Sequence, residues 1–359
     1  MTPRERILTA LSHKETDIVP FSLGFGINQP AKKALAEYIK LDIAELDRLL
    51  GSVSDIRYVG PKYIGPKDRN INLPDGSYID IWGVKRSPVK NEKDTYLEIS
   101  EYPLENLQTI DELENYIFPS VDWFDFSVIP EQIENYAKTG DYALMIGNGN
   151  IFESSWYMRG LETMFADLLV EKEYTHWLLN KVTDYFIAYF KKALEAANGR
   201  INLVFTADDI GGQNDLLISL SLWEEMLKPY HKKLNKIIHE YGAKIIYHSD
   251  GAVMKAVGGL IDMGIDVLEA LQFDAAGMNP GELKSKFGDR LCFHGGISVQ
   301  STLPFGTPEQ VEAEVSERVK ILGKNGGYIL APSHAVQAGT PPENTYAFLK
   351  ATGRLFNAK

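Results

Sequence analysis

The chain has 359 residues, with 37 basic and 49 acidic side chains and a formal charge of −12, which disfavours a basic footprint for nucleic acid or anionic lipid. Apolar residues make up 44% and charged residues 24%, the composition of a globular protein and not of a disordered one. A single cysteine, Cys292, excludes an internal disulfide and an all-thiolate metal site.

In chain order, Ile7, Leu8 and Leu11 follow Arg4-Glu5-Arg6 at helical spacing, with Thr2 as cap and Pro3 at the first position. This predicts a helix over 3–12 and not a secretory signal, since an apolar h-region is lacking. No stretch approaches the ~20 apolar residues of a membrane span, so a soluble, cytoplasmic protein is expected. The run Ile18-Val-Pro-Phe-Ser-Leu23 reads as a strand. Residues 31–51 read as helical, with Leu35, Tyr38, Ile39, Leu46 and Leu50 on one face. Residues 57–100 are β-rich and aromatic around the turn Leu73-Pro-Asp-Gly-Ser77, and read as a hairpin insertion. It lies beside a site mouth or is plain surface elaboration.

After residue 140, strands are predicted at 143–146, 203–206, 244–247, 266–269, 291–293 and 328–330. Helices are predicted at 159–170, 172–197, 219–241, 252–262 and 308–323. Short continuous apolar strands suit a sheet covered on both faces, and the alternation suits parallel pairing. With 19–23 the count reaches seven strands, one short of eight. An open doubly wound sheet is the competitor, but Gly24-Phe-Gly26 does not continue to the third glycine of a dinucleotide fingerprint. The expectation is therefore α/β: a distorted (β/α)8 TIM-type barrel, one domain over 1–359 with a helical and β-hairpin insertion at about 31–130.

Such a barrel builds its site at the C-terminal ends of the strands. Three of the seven histidines, His248, His294 and His334, fall there, while His13, His176, His231 and His239 sit on or beside helices as solvated or packing residues. His248-x-Asp250 puts two ligands on one side of an extended segment, and with His334 they suit a catalytic Zn2+ with an open position. Of the pair Asp208-Asp209, one caps a turn and Asp209 is read as general base or cation-binding group. Glu153 and His294 complete the predicted catalytic set. Asn148, Trp156, Tyr157, Gln213, Glu269 and Gln272 are the predicted substrate contacts, with Trp156 also suited to packing under the rim. The stripe Trp223, Leu227, Tyr230, Leu234 and Ile238 is core.

Several segments resemble the uroporphyrinogen decarboxylase superfamily, in order and spacing over nearly the whole chain. They are Arg4-Glu-Arg-Ile-Leu-Thr-Ala-Leu through Pro20, Trp156-Tyr-Met-Arg-Gly-Leu-Glu162, Asp208-Asp-Ile-Gly-Gly-Gln213, Lys228-Pro-Tyr230, His248-Ser-Asp-Gly251, His294-Gly-Gly-Ile-Ser298 and Gly326-Gly-Tyr-Ile-Leu-Ala-Pro-Ser-His334. The resemblance implies a distorted (β/α)8 barrel and one of two activities. The decarboxylases carry an arginine-rich segment after the first strand, where this chain reads Phe21-Ser-Leu-Gly-Phe-Gly-Ile-Asn-Gln29 with no arginine. An octacarboxylate without a cationic clamp is poorly held. The corrinoid-dependent methyltransferases carry zinc on a His-x-Cys pair and a later cysteine; here those positions are His248, Asp250 and His334. The resemblance therefore implies a methyltransferase moving methyl from a methoxy- or methylamino-compound to a corrinoid carried by a partner protein, with zinc as a harder, N/O-held Lewis acid. Porphyrinogen decarboxylation and a non-catalytic ligand-binding barrel are the alternatives. A homodimer is compatible with the sequence.

Overall fold

Seven short parallel strands curl into one sheet in the computed structural model, which describes residues 1–355. They are β1 (Ile56–Tyr58), β2 (Ala143–Asn150), β3 (Leu203–Ala207), β4 (Lys244–His248), β5 (Val267–Ala270), β6 (Cys292–Ile297) and β7 (Tyr328–Pro332). Each pairs with the next in chain order, and β3, β5, β6 and β7 are buried along their whole length. Helices cover the outer face, as parallel crossovers require.

The predicted strand 18–23 is present as a bridge and not as a full strand. Leu330 N–H donates to Pro20 O (2.8 Å), Ser22 N–H donates to Leu330 O (3.1 Å), and on the other side Asp55 N–H donates to Phe21 O (2.8 Å). The segment thus joins β7 to β1 and closes the ring. Pro20 has no N–H to give, which keeps this segment from a continuous ladder. The strand missing from the sequence count is β1, which lies at the edge of the stretch read as a hairpin insertion. Its three residues carry too short an apolar pattern to stand out.

The remainder of that stretch does form a separate antiparallel sheet of four strands, Ile71–Asn72, Tyr78–Ile79, Lys85–Lys90 and Thr95–Glu101. Residues 31–51 are two helices instead of one, Gln29–Ile39 and Ile43–Val53. Lys40 ends the first in the left-handed conformation, and Asp42 caps the second through Glu45 N–H. The stretch 219–241 likewise breaks into Leu220–Met226 and Lys228–Glu240, the second with proline in its first turn. The first helix, Pro3–Leu11, has Thr2 and Glu5 in a reciprocal capping box. No helix among the described residues is long and apolar enough to cross a membrane.

One carboxylate fixes the closure. Asp55 is fully buried, accepts Phe21 N–H (2.8 Å), and meets Arg6 Nη1 (2.9 Å) and Arg354 Nη1 (2.8 Å). It ties the first helix, the bridging segment, β1 and the C-terminal region together. Removing it leaves two guanidinium groups without their buried partner. Asp55→Ala is expected to destabilise by about 3–5 kcal/mol, read as a lowered urea midpoint. A loss under ~1 kcal/mol, the range of exposed ion pairs, contradicts this role.

Candidate metal centre and active site

Strand register brings the central residues together. His248 pairs with Glu269 across β4–β5, and Glu269 pairs with His294 across β5–β6. Neighbouring residues in register point to the same face, so the three side chains stand in a row at the strand ends. Glu269 is fully buried and its Oε2 lies 2.5 Å from His248 Nδ1. A carboxylate acceptor places a proton on Nδ1 and leaves Nε2 to face the centre. His294 Nδ1 lies 3.8 Å from the other oxygen, Oε1, while its Nε2 is 2.6 Å from the Ser22 hydroxyl. Neither Glu269 Oε1 nor His294 Nδ1 has a hydrogen-bond partner among the described residues.

Around His248 Nε2 stand further donors. Asp209 Oδ1 is 3.6 Å away and Asp250 Oδ2 is 3.9 Å away. One ligand atom each from His248, Asp250 and His334 all lie within 4.8 Å of one another. Asp209 is held by the Asp250 N–H, at 2.8 Å. The two loops carrying these aspartates meet backbone to backbone: a Cβ on Gly251, which has φ +84°, would sit 2.5 Å from Gly212 O. Phe25 covers the group, stacked on the His334 ring at 4.6 Å and edge-on to His248 at 4.9 Å. Two imidazoles and one or two carboxylates, one imidazole backed by a buried carboxylate, are a fitting donor set for Zn2+.

Asp208 has a different task. It is buried and accepts Phe152 N–H (2.8 Å) and Glu153 N–H (2.7 Å) at the start of the helix Ile151–Arg159. Its Oδ2 also lies 2.5 Å from His231 Nε2. His231 is thus a buried partner of Asp208. The helix start places Glu153 beside the acidic group, where Tyr157 O–H donates to Glu153 Oε1 at 3.0 Å.

The electrostatics follow from this crowding. Burial pushes the Glu153 carboxyl up to about 8, helped by Asp208 and Asp209. Burial alone lowers the His248 imidazole, but Glu269 beneath it, with Asp250 and Asp209, outweighs that and raises it to about 10. The same acidic surroundings that favour a proton on His248 favour a metal cation in its place. Burial lowers His294 and raises Asp250.

A cavity of about 500 Å³ opens beside the cluster, lined by Phe25, Tyr58, Asn148, Phe205, Glu269 and His294 among others. Asn148 also lines a second chamber, where Tyr157 stands. Trp156 packs against Tyr157 at 4.3 Å between ring centres. Gln213 Nε2 donates to Asp274 O (2.9 Å), and Gln272 Oε1 accepts Gly251 N–H (2.8 Å), so both join loops to one another. Glu269, read from sequence as a substrate contact, sits under His248. Sequence reasoning passed over Phe25, Tyr58 and Ser22. The signal for Phe25 was an aromatic residue between two glycines directly after a predicted strand.

These features define an α/β barrel with an acidic, histidine-bearing centre at its strand ends. The uroporphyrinogen decarboxylase (URO-D) profile matches residues 89–355, and the chain belongs to that family. It is 28% identical over 200 residues to the methylated-thiol–coenzyme M methyltransferase of Methanosarcina mazei, covering 56% of this chain and 50% of that protein. It is 26% identical over 193 residues to the uroporphyrinogen decarboxylase of Pseudoalteromonas translucida, covering 53% and 50%. The chain spans about half the length of the curated relatives it matches. The solved structure of a methyltransferase from Methanosarcina mazei shares the fold, with a TM-score of 0.66, 19% identity and 99% of both chains covered.

Glu153 offers a test of the site's electrostatics. Between its ordinary 4.5 and about 8 the folded chain keeps a proton that the unfolded chain releases. Stability therefore falls by about 1.4 kcal/mol per pH unit across that window. Glu153→Gln removes the dependence. Apart from a constant offset, the variant gains on the wild type as pH rises from 4.5 to 8, and the gap is flat above. Parallel stability curves contradict the assignment.

Proposed function

We propose that the chain is a methyltransferase that moves a methyl group from a small methoxylated or methylamino compound to a corrinoid carried by a partner protein, with Zn2+ held by His248, Asp250 and His334. The observation that carries this reading is the convergence of these three ligand atoms within 4.8 Å, with His248 oriented by buried Glu269. Family membership and the similarity to a named methyltransferase support it.

In the transfer, the bond from the methyl carbon to oxygen or nitrogen breaks. The electron pair stays on the heteroatom, and the methyl goes to the reduced cobalt of the partner. The leaving heteroatom is stabilised by a cation or a proton. Bound zinc supplies Lewis acidity for that atom. Glu269 orients His248 and fixes its tautomer. Asp209, held by the Asp250 N–H, adds a further oxygen donor beside the ligand group. Glu153, with its pKa near 8, holds a proton at neutral pH and is tied to Tyr157. His294, anchored by Ser22, completes the polar floor of a cavity otherwise walled by Phe25, Tyr58 and Phe205.

Decarboxylation of a polycarboxylate fits this cavity poorly. Among the described residues no lysine or arginine lines it, and Glu269 does. A multiply charged anion gains nothing from such walls.

Chain purified without chelator is expected to hold about one zinc. Glu269→Gln is expected to weaken the zinc by about 10–100-fold, and His248→Ala to lose it. With a reduced corrinoid protein and a methyl donor, the cobalt absorption is expected to shift to the methylated form with the wild type and not with His248→Ala. Turnover of uroporphyrinogen, or full methyl transfer by metal-free chain, overturns the reading.

A further inference from the structure

Beside the strand-end cavity lies a second chamber, of about 410 Å³, to which the methyl transfer assigns no role. Tyr78 and Arg86 of the four-stranded sheet, with Trp82 in the turn between their strands, form one side of it, and Tyr185 and Tyr189 of the helix Lys172–Ala197 form another. The two cavities share Gly147 and Asn148 in their walls. The four-stranded sheet therefore walls a pocket that adjoins the strand-end cavity at Gly147 and Asn148.

The chemistry of the chamber is specific. Its walls are aromatic rings, with Trp82 edge-on to Tyr185 at 5.0 Å. Asp80, its one acid among the described residues, is saturated: Oδ1 accepts the N–H groups of Trp82 (2.9 Å) and Val84 (3.0 Å), and Oδ2 accepts Arg86 Nη1 (2.7 Å). Arg86 spends only that one N–H on a protein partner among the described residues, and its guanidinium lies 5.0 Å from the centre of the Tyr157 ring. The remaining N–H groups of the fork, and the hydroxyls of Tyr185 and Tyr189, have no such partner among the described residues. Aromatic walls favour a flat ring. They also favour an ammonium ion, but Arg86 already places a positive charge there. A guanidinium edge with unspent N–H groups among aromatic rings selects a carboxylate.

We propose that this chamber binds an aryl carboxylate, with Arg86 holding the carboxylate and Tyr185 and Tyr189 bounding the ring. Resting on the methyltransferase reading, the methyl-bearing end of such a donor passes Gly147 and Asn148 toward His248 and His334.

The test is binding, measured on the full chain without corrinoid protein or donor turnover. 4-Methoxybenzoate is titrated by calorimetry against wild type, Arg86→Ala, Arg86→Gln and Tyr185→Leu, each checked by thermal melting. Saturable binding is expected, weakened by about tenfold or more in both Arg86 variants, while 4-methoxybenzyl alcohol binds all Arg86 forms alike. Tyr185→Leu is expected to weaken both ligands. On wild type alone, the carboxylate is expected to bind about tenfold or more tighter than the alcohol, which keeps the test intact where a variant does not fold. No saturable binding, equal affinity for carboxylate and alcohol, or tighter binding of benzyltrimethylammonium overturns the proposal. Arg86-dependent binding with no methyl transfer to a corrinoid supports the chamber and sinks the reaction instead.

Discussion

The site depends on one buried carboxylate. Glu269 is completely shielded from water and stands between two histidines, with one oxygen 2.5 Å from His248 and the other 3.8 Å from His294. A charge so placed is costly unless its partners are fixed. The parallel register of β4, β5 and β6 fixes them, because it sets the three residues at one level on one face. The result is an imidazole whose inner nitrogen is committed and whose outer nitrogen is presented to Asp209, Asp250 and His334. The rest of the centre is arranged around that outer nitrogen.

Supporting this row requires a closed ring and well-placed loops. Ring closure falls to Asp55, which binds backbone and two arginines far apart in sequence. Loop placement falls to Asp208, which caps a helix from a neighbouring strand and frees Asp209 to face the site. The lone thiol is kept out of this chemistry. Cys292 begins β6 beside Ala10 of the first helix, and burial pushes its thiol up to about 12. With that thiol held protonated and remote, the centre is one of nitrogen and oxygen donors, a harder set than thiolate supplies.

The sequence made much of this legible, for physical reasons that differ by element. The strands at 143–146, 203–206, 244–247 and 328–330 stood out because strands buried on both faces are continuous apolar runs. The cluster His248, Asp250 and His334 was legible because a barrel concentrates polar residues at strand ends. The eighth strand, β1, was not: its three residues are too few to show a period. Helix breaks at Lys40 and Leu227 were hidden inside apolar stripes that continue across them. The roles of Glu269, Gln213 and Gln272 depend on pairing between loops distant in sequence, which no local pattern carries. Phe25 and Arg86 belong to the same class, since each acquires its partners only through tertiary packing.

The central claim is that a buried Glu269–His248 pair presents a nitrogen-and-oxygen zinc site. X-ray absorption at the zinc edge, on chain purified without chelator and on Glu269→Gln, tests it most directly. The account predicts bound zinc with a first shell of light nitrogen and oxygen scatterers, including the outer-shell signature of two imidazoles, and reduced occupancy in the variant. A sulfur scatterer at about 2.3 Å, or no zinc that depends on Glu269, contradicts it.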